Sequence, residues 1–143
     1  MDWSECVGNR IVKDIKKDDA LISSLLRTSE NKIISCDKLE LDEQTAESKI
    51  SLAYDSLREI LEALAICRGF KIYNHECYTS FLNEVLNESE KAEEFDELRK
   101  IRNSINYYGK SISINESEKI IGRIKNLRDK ILPIVKNEVK RAK

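Results

Sequence analysis

The residues best suited to chemistry lie near the end of a helix predicted over 90–108, in the stretch LRKIRNSINYYG at 98–109. Its apolar residues recur three or four positions apart, which places them on one helix face: Leu98, Ile101, Ile105 and Tyr108. Four polar residues occupy the neighbouring face: Arg99, Arg102, Asn103 and Asn106. Such a helix end can present two arginines and two amides to a cleft. A solvated polar face on a helix that stops at Gly109 is the competing interpretation.

Groups that could transfer a proton or hold a metal ion are few in this sequence. The single histidine, His75, stands at the start of a short predicted helix, where a structural or solvated role is the alternative. Tyr107 and Tyr108 are poor bases at neutral pH because tyrosine ordinarily has a pKa of about 10, so packing is their alternative role. Cys67, His75 and Cys77 fit no zinc-binding spacing, and the sequence has no glycine-rich phosphate loop, HExxH or GxSxG motif. We therefore expect no metal and no cofactor.

The elements that must position these residues are predicted from apolar periodicity. Over 43–67 one apolar stripe continues without Gly or Pro, which predicts a core helix of about six or seven turns: Ile50, Ala53, Tyr54, Leu57, Ile60, Leu61 and Leu64. Gly69 ends this helix, residues 70–74 form a predicted loop, and a short helix follows over 75–86.

The rest of the chain is predicted to complete an all-α bundle. Within residues 1–17, Val7, Ile11, Val12 and Ile15 are expected to form a short helix that packs against the body. Asp18 or Asp19 caps the next helix. Ser113 and Glu116 form a capping box that begins a long last helix. This helix carries an apolar seam with spacings of three and four: Ile120, Ile124, Leu127, Ile131, Ile134 or Val135, and Val139. The sequence thus predicts one domain over 1–143, a single bundle of four to six helices, about five.

Charge is unevenly distributed, although the net charge of the whole chain is only −1. Residues 84–97 carry a net charge of −6, and residues 119–143 carry +7. Two such segments favour self-association or a charged partner, whereas solvated helix faces are the alternative. Together with the apolar seam of the last helix, they predict a homodimer whose shared surface includes the end of the Arg102 helix.

Membrane association and compartment are predicted from apolar runs and cysteine usage. No apolar run approaches the length of a membrane span, so we expect no membrane contact. The four cysteines form no CxxC pair, and no signal peptide precedes them. A reducing cytoplasm is the compartment that this pattern predicts.

Three stretches of the chain resemble HEPN-domain proteins, in particular the small archaeal group of that superfamily. They are LREILEALAICRGFKIYNHECYTSFL at 57–82, LRKIRNSINYYGKSISINESEKII at 98–121 and, more weakly, DDALISSLL at 18–26. The resemblance implies a helical bundle that dimerises. Active members are metal-independent ribonucleases with an R-x4–6-H motif, and many pair with a nucleotidyltransferase in toxin–antitoxin systems.

The motif of active members is only partly present in this chain. Arg102 and Asn103 match its start, but Tyr107 stands where the earliest histidine would be, and Tyr108 and Gly109 follow. The resemblance implies a cleft that is lined by paired arginines and histidines from two subunits. Arginines suit phosphate, and histidines can move a proton. Residues five apart lie about 140° apart around a regular helix, so Arg102 and Tyr107 converge only if the helix unwinds near Gly109.

The missing motif histidine favours a non-catalytic module that binds RNA, a nucleotide or a protein partner through a cleft near Arg102. The alternative is a divergent metal-independent ribonuclease that uses Arg102, Tyr107 and His75, if packing brings His75 to Arg102. A third interpretation is the toxin partner of a nucleotidyltransferase antitoxin, which a small nucleotidyltransferase reading frame beside this gene would favour. The expected binding residues are Arg99, Arg102, Asn103, Asn106, Tyr107 and Tyr108.

Overall fold

The computed structural model describes residues 1–108 and 111–141, except for the side chains of Tyr107 and Tyr108. Six α-helices and two short strands occur within these ranges: α1 Trp3–Gly8, β1 Val12–Asp14, α2 Asp19–Lys38, α3 Ala46–Cys67, β2 Phe70–Ile72, α4 Glu76–Ser80, α5 Ser89–Tyr108 and α6 Ile114–Arg141. A π-helical turn over Phe81–Val85 continues α4. The predicted all-α class is confirmed. None of the helices in these ranges is long and apolar enough to cross a membrane.

Helix α3 is the centre of the bundle, and α2 and α6 supply most of its contacts with other helices. Its apolar stripe is the predicted one, and both Leu57 and Leu64 are fully buried. Because burial of a leucine side chain contributes roughly 1.5–3 kcal/mol, this stripe is a main source of stability. Gly69 follows the helix with a φ of +86°, a left-handed conformation that glycine adopts at no steric cost. The prediction over 43–67 is therefore confirmed, apart from its first three residues.

A buried arginine joins the three central helices. Arg128 of α6 is 5% exposed, and its Nε donates a hydrogen bond to Oγ of Ser56 in α3 at 2.7 Å. Its Nη2 donates to Oε2 of Glu30 in α2 at 3.0 Å, and Oγ of Ser29 in α2 donates to the carbonyl oxygen of Ser56 at 2.7 Å. A buried charge is costly unless it is paired and hydrogen-bonded, so these contacts fix the relative positions of α2, α3 and α6.

The predicted loop over 70–74 is wrong at its first three residues, which form β2. A short helix is present within 1–17 as α1, but of the four residues that predicted it only Val7 is helical. Val12 lies in β1, which pairs antiparallel with β2, and Ile11 and Ile15 flank that strand. Val12 lies opposite Ile72 in this pairing, and both side chains are buried. Sequence periodicity could not reveal the pairing, because each strand has only three residues and its partner is distant along the chain.

The N-terminal segment is held against α4 and the π-helical turn. The ammonium group of Met1 lies 3.1 Å from Oε1 of Glu76, and the backbone N–H of Trp3 donates to Oε2 of Glu84 at 2.7 Å. The indole ring of Trp3 packs edge-to-face against Phe70, with ring centroids 5.1 Å apart. The segment therefore covers the apolar side of α4.

Cys6 of α1 and Cys77 of α4 form a disulfide bond, with their Cα atoms 6.0 Å apart. The sequence predicts a reducing cytoplasm, in which disulfide bonds are rare. The bond does not favour that compartment, which stays a prediction. Cys36 and Cys67 are free thiols, and burial raises the pKa of each above its ordinary value.

The apolar seam of α6 and part of its positive charge are used within one chain. Ile131 and Val135 of this seam are fully buried in the core. The Arg123 guanidinium forms ion pairs with Glu94 and, at 2.6 Å, with Glu97, both of which belong to the acidic segment of α5. Neither feature therefore calls for a second copy of the chain, and the homodimer stays a prediction.

Both predicted helix caps are confirmed. Oδ1 of Asp18 accepts a hydrogen bond from the backbone N–H of Leu21 at 3.0 Å, which begins α2. Oγ of Ser113 accepts from the backbone N–H of Glu116 at 3.1 Å, which begins α6. These side chains satisfy donors that the first turn of a helix leaves unpaired.

Candidate functional site

A polar cavity of about 300 Å³ lies between the segment that follows β2 and the second half of α5. Six residues line it: Tyr73, Asn74, His75, Arg99, Arg102 and Asn103. The structure thus brings His75 to the same cavity as Arg102, although the two residues are far apart in sequence. This is the arrangement on which the alternative function in the sequence analysis depends.

The β2 side of the cavity is fixed at both ends of the segment 73–75. The backbone N–H of Tyr73 donates to the carbonyl oxygen of Ile11 at 2.9 Å, which extends the contact between the two strands. Oδ1 of Asn74 accepts from the backbone N–H of Glu76 at 2.9 Å, at the start of α4. The position of His75 therefore depends on the strand pairing that the sequence did not predict.

The α5 side of the cavity is set by the apolar face of that helix. Phe95 and Leu98 are at most 1% exposed, so the face that they occupy is turned to the core. Residues three and four positions apart are neighbours on a helix, and Arg99, Arg102 and Asn103 share such spacing along the cavity. Because the apolar face of α5 is turned to the core, the neighbouring face with its polar side chains lies along the cavity.

Arg99 is oriented by an acid one turn before it in α5. Its Nη2 and Nε lie 2.8 Å and 3.1 Å from Oδ1 of Asp96, which also accepts from the hydroxyl of Thr79 at 3.1 Å. Burial alone would raise the pKa of Asp96, but hydrogen bonds from Arg99, Lys100 and Thr79 outweigh it and hold this pKa below its ordinary value. Asp96 is therefore ionised at neutral pH and keeps Arg99 in place.

Arg102 lies over the ring of a buried tyrosine. The guanidinium carbon is 5.1 Å from the centroid of the Tyr54 ring, within the range of a cation–π interaction. Tyr54 belongs to α3, is fully buried and stacks against Phe95 with centroids 6.0 Å apart. The Arg102 guanidinium therefore packs on a side chain of the central helix.

His75 contacts the same tyrosine, since its Nδ1 lies 3.1 Å from the Tyr54 hydroxyl. Burial, followed by the positive charges of Arg58 and Arg102, lowers the pKa of His75 from 6.5 to about 4. Burial raises the pKa of the Tyr54 hydroxyl well above its ordinary value, although Arg102 and Arg99 act in the opposite direction. At neutral pH the imidazole is therefore uncharged and the phenol is protonated.

This pairing gives His75 two alternative proton arrangements. If the Tyr54 hydroxyl donates to Nδ1, the imidazole proton is on Nε2, which then acts as a donor. If Nδ1 donates to the hydroxyl oxygen, Nε2 carries a lone pair and acts as an acceptor. The cavity therefore combines two fixed positive charges with one neutral group that can serve either role.

Four of the residues that the sequence analysis singled out line the cavity: Arg99, Arg102, Asn103 and His75. Asn106 is exposed and is not part of the lining. The side chains of Tyr107 and Tyr108 lie outside the described residues, but α5 continues as a helix to Tyr108. A regular helix keeps positions 102 and 107 about 140° apart.

Two residues of the cavity, Tyr73 and Asn74, were not among the expected site residues. Both were assigned to a loop, and only their proximity to His75 in the sequence could have drawn attention to them. Among the described residues, no group of three or more His, Cys, Asp or Glu side chains comes together as a metal ion requires.

The comparisons with known proteins give the chain no family. No protein-family model matches it, and no curated protein matches it significantly. The functional interpretation therefore depends on the geometry of the cavity and on the resemblance noted in the sequence.

Proposed function

We propose that this chain is a HEPN-like module that binds RNA or a nucleotide at the cavity between residues 73–75 and α5. The observation that carries the proposal is that Arg99 and Arg102 line one cavity with the neutral side chain of His75. Two guanidinium groups suit both the charge and the shape of a phosphate. Among the described residues, the lining has no aliphatic side chain and no carboxylate, which favours a phosphate-bearing ligand.

We expect binding without cleavage. Attack by a ribose 2′-hydroxyl needs a group that removes its proton, and Tyr107 replaces the motif histidine. His75 is neutral at pH 7, but a base with a pKa of about 4 is weaker than general-base catalysis at that pH requires. Arg102 can stabilise developing negative charge, but it is always protonated and accepts no proton.

The position of His75 favours one second candidate function, a divergent metal-independent ribonuclease. His75 and Arg102 line one cavity, as an arginine and a histidine would in an active member of the superfamily that the sequence resembles. A bound phosphate brings negative charge to the imidazole, which raises the pKa of His75 towards neutrality. His75 would then transfer the proton in place of the residue at position 107.

Fluorescence anisotropy with a labelled single-stranded RNA oligomer tests the binding function. We expect Arg102→Ala to weaken binding roughly 10- to 150-fold, because a hydrogen bond to a charged group contributes about 1.5–3 kcal/mol. Lys136→Ala is the matched control, since Lys136 is exposed and does not line the cavity. Equal losses in both variants would mean that net charge, and not the cavity, holds the oligomer.

Incubation of RNA with the protein in EDTA separates the two candidate functions. We expect no cleavage by the wild type. Tyr107→His restores the histidine of the motif, and it should gain cleavage only if the end of α5 unwinds so that position 107 reaches Arg102. Cleavage by the wild type that is lost in both His75→Ala and Arg102→Ala would establish the ribonuclease instead. The nucleotidyltransferase partner and the toxin–antitoxin role stay predictions of the resemblance.

A further inference from the structure

Tyr73 is the large apolar side chain that is most exposed in the part of the chain that the structure describes. It is 60% exposed, whereas Val7, the next most exposed, is 46% exposed. Aromatic rings are costly to leave in water, so an exposed tyrosine on the wall of a polar cavity is available for contact with a ligand. None of the interactions that build the cavity uses this ring.

The backbone that carries the ring is held in place, although the surface of the ring is open. Tyr73 directly follows Ile72, which is 5% exposed, and its backbone N–H is bonded to the carbonyl oxygen of Ile11 at 2.9 Å. Nζ of Lys13, from the paired strand β1, lies 5.5 Å from the ring centroid. A cation over an aromatic ring is attracted to its face, so Lys13 both orients the ring and adds positive charge beside the cavity.

We propose that the cavity takes one nucleotide of a single strand, with its phosphate on Arg99 and Arg102 and its base stacked on Tyr73. This inference rests on the proposed function, and it adds the class of ligand and a residue that selects it. A tyrosine has two faces, so Lys13 can cover one face while a base stacks on the other. The volume of about 300 Å³ is at the small end of ligand cavities and suits one nucleotide.

The inference distinguishes single strands from duplexes. Bases in a duplex are stacked on each other and leave no free face, whereas single-stranded loops and ends offer unstacked bases to aromatic side chains. Asn74 and Asn103 are placed to bond the base edge or the ribose. Oδ1 of Asn74 is already bonded to the backbone N–H of Glu76, so this residue offers its amide N–H donors.

The test uses a single-stranded RNA oligomer that carries one 2-aminopurine, whose fluorescence falls when it stacks. Three variants are compared with the wild type: Tyr73→Phe, Tyr73→Leu and Lys136→Ala. We expect Tyr73→Leu to weaken binding roughly 5- to 150-fold and to abolish the quenching, because stacking of one base contributes about 1–3 kcal/mol. Tyr73→Phe keeps the ring, and Lys136→Ala leaves the cavity intact, so both should bind and quench as the wild type does.

Matched ligands complete the experiment. An oligomer that is abasic at every position should bind the wild type and Tyr73→Leu equally, and a duplex of the same length as the 2-aminopurine oligomer should bind more weakly than the single strand. Adenosine monophosphate measures the contribution of a free nucleotide. If adenosine monophosphate displaces the labelled oligomer at the same concentration of nucleotide as unlabelled oligomer does, the cavity binds a free nucleotide as well as it binds RNA. If much more is needed, RNA is the preferred ligand.

The outcomes separate this inference from the proposed function. If Arg102→Ala loses binding while Tyr73→Leu binds and quenches as the wild type does, the cavity holds phosphate but Tyr73 does not hold the base, and the inference is overturned. Equal affinity for duplex and single strand would overturn it as well. If the wild type binds neither the oligomer nor the nucleotide, the proposed function fails with it. Circular dichroism of each variant confirms the fold.

Discussion

The hydroxyl oxygen of Tyr54 lies 3.1 Å from Nδ1 of His75. The centroid of the same ring lies 5.1 Å from the guanidinium carbon of Arg102, so one buried side chain of α3 contacts two of the three groups that the proposed function uses. Tyr54 therefore positions these residues from the core, and the cavity is built on the most deeply buried helix of the fold. Polar groups that are held by a rigid core lose little entropy when they bind a ligand.

The titration of His75 tests this environment directly. We expect a pKa of about 4 in the folded protein, and a higher value in Arg102→Ala, because that change removes a positive charge that opposes protonation. Since the chain has one histidine, its ring protons give a single set of NMR signals to follow with pH. Lys136→Ala should leave the pKa unchanged. A wild-type value near 6.5 would show that the imidazole is solvated, and would contradict the described cavity.

The lowered pKa of His75 also predicts how stability depends on pH. Between pH 6.5 and about 4 the unfolded chain binds a proton at this residue that the folded chain does not. The free energy of unfolding therefore falls as the pH is lowered through this range, and the effect vanishes above the unfolded pKa. Urea unfolding should show that the stability of the wild type minus that of His75→Gln, which does not titrate, falls as the pH is lowered from 6.5 to about 4. If the difference in stability between the two proteins does not vary with pH, the pKa of His75 is not lowered in the folded protein.

Truncation of the central stripe should strongly destabilise the fold. Leu57 and Leu64 are fully buried in α3, so Leu57→Ala or Leu64→Ala should lower the free energy of unfolding by about 2–5 kcal/mol. Leu39→Ala is the matched control, because Leu39 is 37% exposed, and it should cost less than about 1 kcal/mol. Urea midpoints measure all three. A loss below about 0.5 kcal/mol at Leu57 or Leu64 would mean that the face of α3 that carries these residues is not packed in the core.

Features that depend on neighbouring residues could be predicted from the sequence. The stripe of α3, the extent of α5 and the caps at Asp18 and Ser113 each follow from spacings of a few residues, and the structure contains them. The sequence also identified Arg102 as a group that could bind phosphate and the sole histidine, His75, as a group that could transfer a proton.

Features that depend on distant partners could not be predicted. The β1–β2 pairing joins strands of three residues each, and the Cys6–Cys77 bond closes a separation of 71 residues. Both links hold the segment around His75 in place. The arrangement of residues that forms the cavity therefore could not be predicted from the sequence. The importance of Tyr73 appears only once the strand pairing places its ring on the cavity wall.

The disulfide bond should contribute measurably to stability. A cross-link restricts the unfolded chain, and for a loop as long as the one between Cys6 and Cys77 it contributes about 2–5 kcal/mol. Cys6→Ala should therefore lower the urea midpoint, as should a reductant added to the wild type. Cys67→Ala, which removes a half-buried free thiol, is the control for the loss of a cysteine. If the reductant lowers the midpoint of Cys6→Ala as much as that of the wild type, its effect does not come from this bond.

An apolar groove between α5 and α6 is the surface at which we expect the predicted homodimer to form. The middle of the α6 seam is buried, but Ile120 of this seam lines the apolar groove of about 440 Å³ between α5 and α6, next to the end of the Arg102 helix. Four isoleucines give it its apolar character: Ile101, Ile105, Ile112 and Ile120. We expect sedimentation at micromolar concentration to show twice the chain mass of 16.6 kDa. A groove of this kind is a surface that a second copy would cover.

A charge placed in this groove should separate the two copies. Ile112→Glu buries a carboxylate if the groove is an interface, and desolvation of that charge is costly even beside the cations of the lining, so this variant should sediment with the mass of one chain. Ile34→Glu is the control, because Ile34 is 42% exposed on α2 and does not line the groove. Its mass should equal that of the wild type. A wild type that sediments as a monomer would end the prediction of a dimer, and a dimer that persists in Ile112→Glu would move its interface elsewhere on the chain.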